Sequence, residues 1–95
     1  MGLRQREWAR RKRNELKQLM GGVCAECGTR RRLEFDCIEP QGDWHHRAEY
    51  SQRMTFYVRQ FTSGNLQLLC ERHNNIKSLR ENPLAFRPKY FAHAA

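Results

Sequence analysis

No stretch of this chain approaches the ~20 consecutive apolar residues that a membrane-spanning helix needs, and no basic start followed by an apolar run and a cleavage site marks it for secretion. The expectation is a soluble, intracellular protein that acts in the cytoplasm, of its own cell or, if phage-encoded, of a host. Internal repeats and low-complexity tracts are missing as well, which argues against solenoids and disordered linkers. Proline is confined to Pro40, Pro83 and Pro88, so most of the chain is free to form regular structure. The hydrophobic content is also low for the size. With 95 residues and 39% hydrophobic side chains, a core alone would supply only a few kcal/mol.

Acidic residues are scarce in one region only. Residues 1–32 hold ten Lys or Arg against Glu7, Glu15 and Glu26, whereas residues 33–95 hold eight against seven acids, so nearly all of the net +8 lies at one end. Arg4, Arg6, Arg10, Arg11, Lys12, Arg13 and Lys17 fall within 14 residues. Such a density points to a polyanion, and nucleic acid is the commonest one.

What the chain does have is four soft metal ligands in two short pairs. Cys24-Ala-Glu-Cys27 and Cys70-Glu-Arg-His73 each place two ligands three positions apart, where a tight turn or a first helical turn can aim both at one ion. A structural Zn²⁺ held by Cys24, Cys27, Cys70 and His73 would staple a core too small to stand alone. Without a secretory signal, disulfides between these cysteines are not expected.

The pattern along the chain predicts a small α+β domain. Residues 3–20 read as a helix with Trp8, Leu16, Leu19 and Met20 on one side, ended by Gly21-Gly22. Residues 32–38 alternate, with Leu33, Phe35 and Cys37 on an inner face and Glu34, Asp36 and Ile38 on the outer one, the signature of a short half-buried strand. A loop over residues 39–44 leads to His45-His46-Arg47, a second helix spans 48–62, a second strand 66–69 and a third helix 71–80. The domain reading is a basic helix over 1–22, a zinc-bound core over 23–82 and a tail over 83–95.

Cys24-x-x-Cys27, Leu33-Glu-Phe-Asp36-Cys37-Ile38 and Gly64-Asn65-Leu-Gln-Leu-Leu-Cys70-x-x-His73-Asn74, with Lys77, resemble the HNH endonucleases and their ββα-metal finger over about residues 23–78. The basic first helix and the helix inserted between the two strands lie outside the shared part. The resemblance implies a nuclease in which Asp36 and Asn74 bind a catalytic Mg²⁺ or Mn²⁺ and Asn65 closes the loop. It also implies a histidine base where this chain carries Cys37. A thiol is a poor base for phosphodiester hydrolysis, and a histidine titrates in the useful range. His46, or its neighbour His45, is the expected substitute, and Cys37 reads as a small buried hydrophobe.

The partner implied is DNA, with RNA an acceptable substitute, held by phosphate contacts from Arg6, Arg10, Arg13, Lys17, Arg47, Lys77 and Arg80. No membrane partner is expected, and a larger nucleic-acid-processing assembly is compatible with the reading. The competing class is a zinc-stabilised adaptor that binds nucleic acid without cutting it.

Overall fold

The computed structural model describes residues 2–42 and 44–81 of the chain, so the tail expected over 83–95 lies outside the described residues. Three helices and a two-stranded antiparallel sheet make an α+β fold, in the order α1 (Leu3–Leu19), β1 (Leu33–Cys37), α2 (Tyr50–Thr62), β2 (Leu66–Cys70) and α3 (Glu71–Glu81). No helix among these residues is long and apolar enough to cross a membrane.

Helix α1 contains neither proline nor glycine and ends where the Gly22 amide donates to the Lys17 carbonyl at 2.8 Å and Gly21 to Gln18 at 3.0 Å. Its buried stripe is Ala9 and Leu16, with Trp8 and Met20 packed alongside. Leu19, expected on that side, is 71% exposed. Ala9 lies two turns before Leu16 on the same line, whereas Leu19 stands about 60° round from Leu16 on the last turn. At ~25 Å, α1 also outreaches the ~20 Å of α2, the helix it packs on.

Helix α2 begins two residues later than expected, because Glu49 holds extended backbone (φ −61°, ψ 156°) and acts as the residue before the first turn. Met54, Phe56 and Tyr57 are its buried side chains, with Val58 and Phe61 packed against the same core.

The strands pair in the register Leu33 to Cys70, Phe35 to Leu68 and Cys37 to Leu66. Because side chains alternate across a strand, this aligns six core residues on one face. Phe35 meets Tyr57 of α2 there, ring centroids 5.0 Å apart. The opposite face shows Glu34, Asp36, Gln67 and Leu69, and α3 covers it. A two-stranded ribbon is marginal by itself. Here helices cover both faces, and Leu69 and Met54, each 1% exposed, anchor the two sides. The basic helix is therefore part of the core that it shares with α2 and the sheet.

Candidate functional site

Both ligand pairs sit on backbone that the sequence shapes locally. The first is a knuckle. Gly28 takes φ +75°, a conformation that a side chain would strain, and its amide donates to the Cys24 carbonyl at 2.9 Å. The Cys24 amide donates to Thr29 at 2.8 Å, and the Ala25 amide to Leu68 of β2 at 2.8 Å, which docks the knuckle on the sheet. Cys70 is the last residue of β2 and His73 lies in the first turn of α3, so a direct strand-to-helix junction delivers the second pair.

The three thiols and the His73 ring place their ligand atoms within 4.8 Å of one another. Cys70 Sγ lies 3.2 Å from His73 Nδ1, Cys24 Sγ 3.9 Å from the same nitrogen, and Cys27 Sγ 3.9 Å from Cys70 Sγ. A tetrahedron with Zn–S of about 2.3 Å and Zn–N of about 2.0 Å has edges near 3.5–3.8 Å. The four residues could hold a metal ion such as zinc. All the cysteines are free thiols. Burial pushes the Cys24 thiol up, but hydrogen bonds with the backbone of Cys70, Cys27 and Glu26 outweigh it and bring it down to about 6. Cys24 is thus suited to ligate as a thiolate.

The outer sheet face carries a second polar cluster. Asp36 Oδ2 accepts from Gln67 Nε2 at 2.9 Å and lies 3.2 Å from the Lys77 ammonium, which also donates to the Cys37 carbonyl at 3.1 Å and to Glu81 at 2.8 Å. Asn74 Nδ2 donates to Glu34 Oε1 at 2.6 Å. Asn74 and Lys77, three residues apart on one face of α3, thus lie over Glu34 and Asp36, two residues apart on one face of β1. Burial pulls the Lys77 ammonium down, yet the hydrogen bond to Glu81 and the charge of Asp36 hold it above the ordinary lysine value. Cys37 turns to the other face, into the core. Its thiol is raised by burial and then by the charge of Asp36, so it stays protonated at neutral pH.

Asn65 clamps the loop after β1. It accepts from the Glu39 amide at 2.7 Å through Oδ1, donates to the Glu39 carbonyl at 3.0 Å and to Gln60 Oε1 at 2.7 Å, and its own carbonyl receives the Ile38 amide at 3.1 Å.

His45 and His46 lie in a 3-10 turn, Trp44–His46, where a loop was expected. His45 is buried, 5% exposed, stacked on Phe56 at 4.4 Å and 15°, with Tyr57 edge-on at 5.7 Å. His46 is exposed, its ring 4.0 Å from that of His45. The turn therefore rests on α2, on the inner side of the sheet. Among the described residues the partners of Asp36 are Gln67 and Lys77, and neither histidine is one of them.

The expected phosphate contacts divide by environment. Arg6 and Arg10 of α1 are exposed, as are Arg47 and Arg80. Arg13 is half-buried with its guanidinium 5.6 Å over the Phe35 ring, and Lys17 is half-buried with its ammonium lowered by burial and by Arg13. Two positioning residues had no signal in the spacing. Arg53 of α2 donates to the carbonyls of His45 at 3.1 Å, His46 at 3.3 Å and Ala48 at 3.4 Å, holding the histidine turn on the helix. Gln67 was hidden within a strand repeat, and only the register opposite Asp36 gives it a role. Comparisons with family models, curated proteins and solved structures found no match.

Proposed function

We propose that this chain is a metal-dependent HNH endonuclease that hydrolyses DNA phosphodiester bonds, nicking duplex with weak intrinsic sequence preference. One observation carries the reading: α3 leaves the Cys/His tetrad directly and lays Asn74 and Lys77 over the strand face that holds Glu34 and Asp36. A binding module with a zinc staple has no need of that oxygen-rich cluster.

The donor chemistry of this cluster suits a hard divalent cation. Three oxygens, both of Asp36 and the Cys37 carbonyl, already lie 3.1–3.5 Å from one cationic nitrogen, that of Lys77. Asp36, here bonded to Gln67 and Lys77, and Asn74, here bonded to Glu34, would hold Mg²⁺ or Mn²⁺, an oxygen donor set that suits these ions better than Zn²⁺ or Ni²⁺. When bound, the ion supplies Lewis-acid stabilisation of charge on the phosphate. Lys77 gives up Asp36 and turns its ammonium to the phosphate backbone. For exposed His46 to take the proton from the attacking water, the turn has to swing it from α2 round the sheet edge toward Asp36, with buried His45 remaining stacked on Phe56. Cys37, protonated and inward-facing, takes no part. Arg6, Arg10, Arg47 and Arg80 hold flanking phosphates.

The adaptor reading has one observation of its own, the closed Lys77–Asp36 ion pair with no histidine at the carboxylate. Supercoiled plasmid separates the two. Wild type with Mg²⁺ or Mn²⁺ is expected to give nicked circles, and Asp36→Ala and His46→Ala to lose that activity while keeping the fold by circular dichroism. A wild type that leaves plasmid and RNA intact with both ions overturns the nuclease reading in favour of the adaptor, and better cleavage with Zn²⁺ or Ni²⁺ than with Mg²⁺ overturns the Asp36 and Asn74 assignment.

A further inference from the structure

A pocket of ≈ 550 Å³ opens at the end of β1 away from Asp36, lined by Thr29, Arg31, Arg32, Arg72, Asn75 and the start of α3. At ~3.3 Å per strand residue, Arg32 stands about 13 Å from Asp36, so this is a separate place on the surface. Arg31, Arg32 and Arg72 are all exposed, and none forms an ion pair among the described residues. That distinguishes them from Lys12, Lys77 and Arg13, whose charges are engaged with Glu15, Asp36 and the Phe35 ring. The pocket also holds Glu71, one carboxylate against three guanidiniums, so its balance is positive.

Arg32 adds an independent observation. It is the one non-glycine residue with positive φ among the described residues, at +53°. A left-handed conformation costs an L-residue roughly 1–2 kcal/mol, and glycine would take it without strain. The conformation is held by pairing on both sides: before it the Arg31 amide donates to Thr29 Oγ1 at 3.3 Å, and after it the Arg32 carbonyl accepts the Glu71 amide at 2.9 Å and Leu33 pairs with Cys70. Backbone need alone would favour glycine here. A strained position that keeps a long cationic side chain points to a use for that side chain.

We infer that this pocket is a phosphate-binding subsite for the DNA backbone, in which Arg31, Arg32 and Arg72 receive phosphate oxygens beside the metal-stapled knuckle. Guanidinium forks match phosphate geometry, and the knuckle and the α3 start hold them in a fixed relation. The inference shares the DNA partner of the proposed function and none of its chemistry.

The test is fluorescence anisotropy of a labelled DNA duplex with the full zinc-loaded chain, without Mg²⁺ or Mn²⁺, across a salt series. Removing one arginine from the phosphates should lower the log–log salt slope by about 0.9 and the affinity by about eightfold at ~0.1 M salt. Arg31→Ala and Arg72→Ala are expected to do so, while Arg59→Ala on exposed α2 surface does not. Arg32→Gly is the sharpest variant, because it should melt no lower than wild type, relieved of its strain, and still bind more weakly with a shallower slope. Inorganic phosphate, added at constant ionic strength, should not compete. Unchanged slope and affinity in Arg32→Gly and in Arg31→Ala/Arg72→Ala overturn the subsite, as does competition by free phosphate, which would make it a small-anion site. Absence of nicking in the plasmid assay leaves these binding results standing, so the two readings fail separately.

Discussion

Removing one ligand of the tetrad should unfold this protein, and Cys70→Ala is the most informative change. Cys70 ends β2, pairs with Leu33 of β1 and precedes the first residue of α3, so its sulfur ties the sheet to the helix start. A 95-residue domain has a net stability of about 5–14 kcal/mol. Structural zinc binding is worth about 10–16 kcal/mol at neutral pH, most of it expressed as folding free energy. Losing even half of that consumes most of the margin. Cys70→Ala, or wild type treated with a strong zinc chelator, is therefore expected to lose its cooperative thermal transition by far-UV circular dichroism, and metal analysis should fall from one zinc per chain to none. Cys37→Ala is the control: the same chemical change in a buried cysteine outside the tetrad, expected to keep its metal and to cost about 1 kcal/mol as a small cavity. If Cys70→Ala melts at the wild-type temperature, or chelation leaves the melt unmoved, the tetrad is not a structural metal centre.

Three further outcomes follow from the geometry. Tyr57, buried against Phe35, has its hydroxyl pushed up to about 12, by burial first, with a partial offset from Arg53. A raised folded value means full stability below pH ~10 and progressive loss between ~10 and 12, on the order of 2–3 kcal/mol. Urea melts should show that loss in wild type and not in Tyr57→Phe, and equal losses in both would refute the assignment. His45→Ala empties a stacked core position and should cost about 2–4 kcal/mol, against less than about 0.5 kcal/mol for exposed His46→Ala; equal costs by denaturant melts would contradict the packing. Lys77→Met removes the ammonium that competes for Asp36, so under the nuclease reading half-maximal nicking should need several-fold less Mg²⁺, and a higher requirement would show that Lys77 assists metal binding.

Residue types and spacing alone pointed to the four tetrad ligands, the two strands, the three helices within about two residues, and the inward placement of Cys37. These are local properties: a ligand pair three apart, an alternation of period two and a glycine stop all act within a few residues of chain. Helix starts moved where a single backbone angle decided them, as at Glu49. Leu19 was misplaced because periodicity describes a side of a helix and not how far its neighbour reaches.

The site's connections were set by pairing across long sequence separations. Asp36 meets Lys77 across 41 residues and Asn74 meets Glu34 across 40, because the β1–β2 register and the immediate start of α3 after Cys70 leave that helix no other sheet face to cover. The histidine doublet was legible as a motif, but its division into a stacked, buried His45 and an exposed His46 depends on Phe56 and Arg53 of α2. The four ligands and the alternation of β1 thus belong to the sequence. Which carboxylate faces which cation, and which side of the sheet the histidines join, only the packing of α3 and α2 on the strands could decide, since charge pairing depends on distances of a few ångströms that spacing along the chain does not encode.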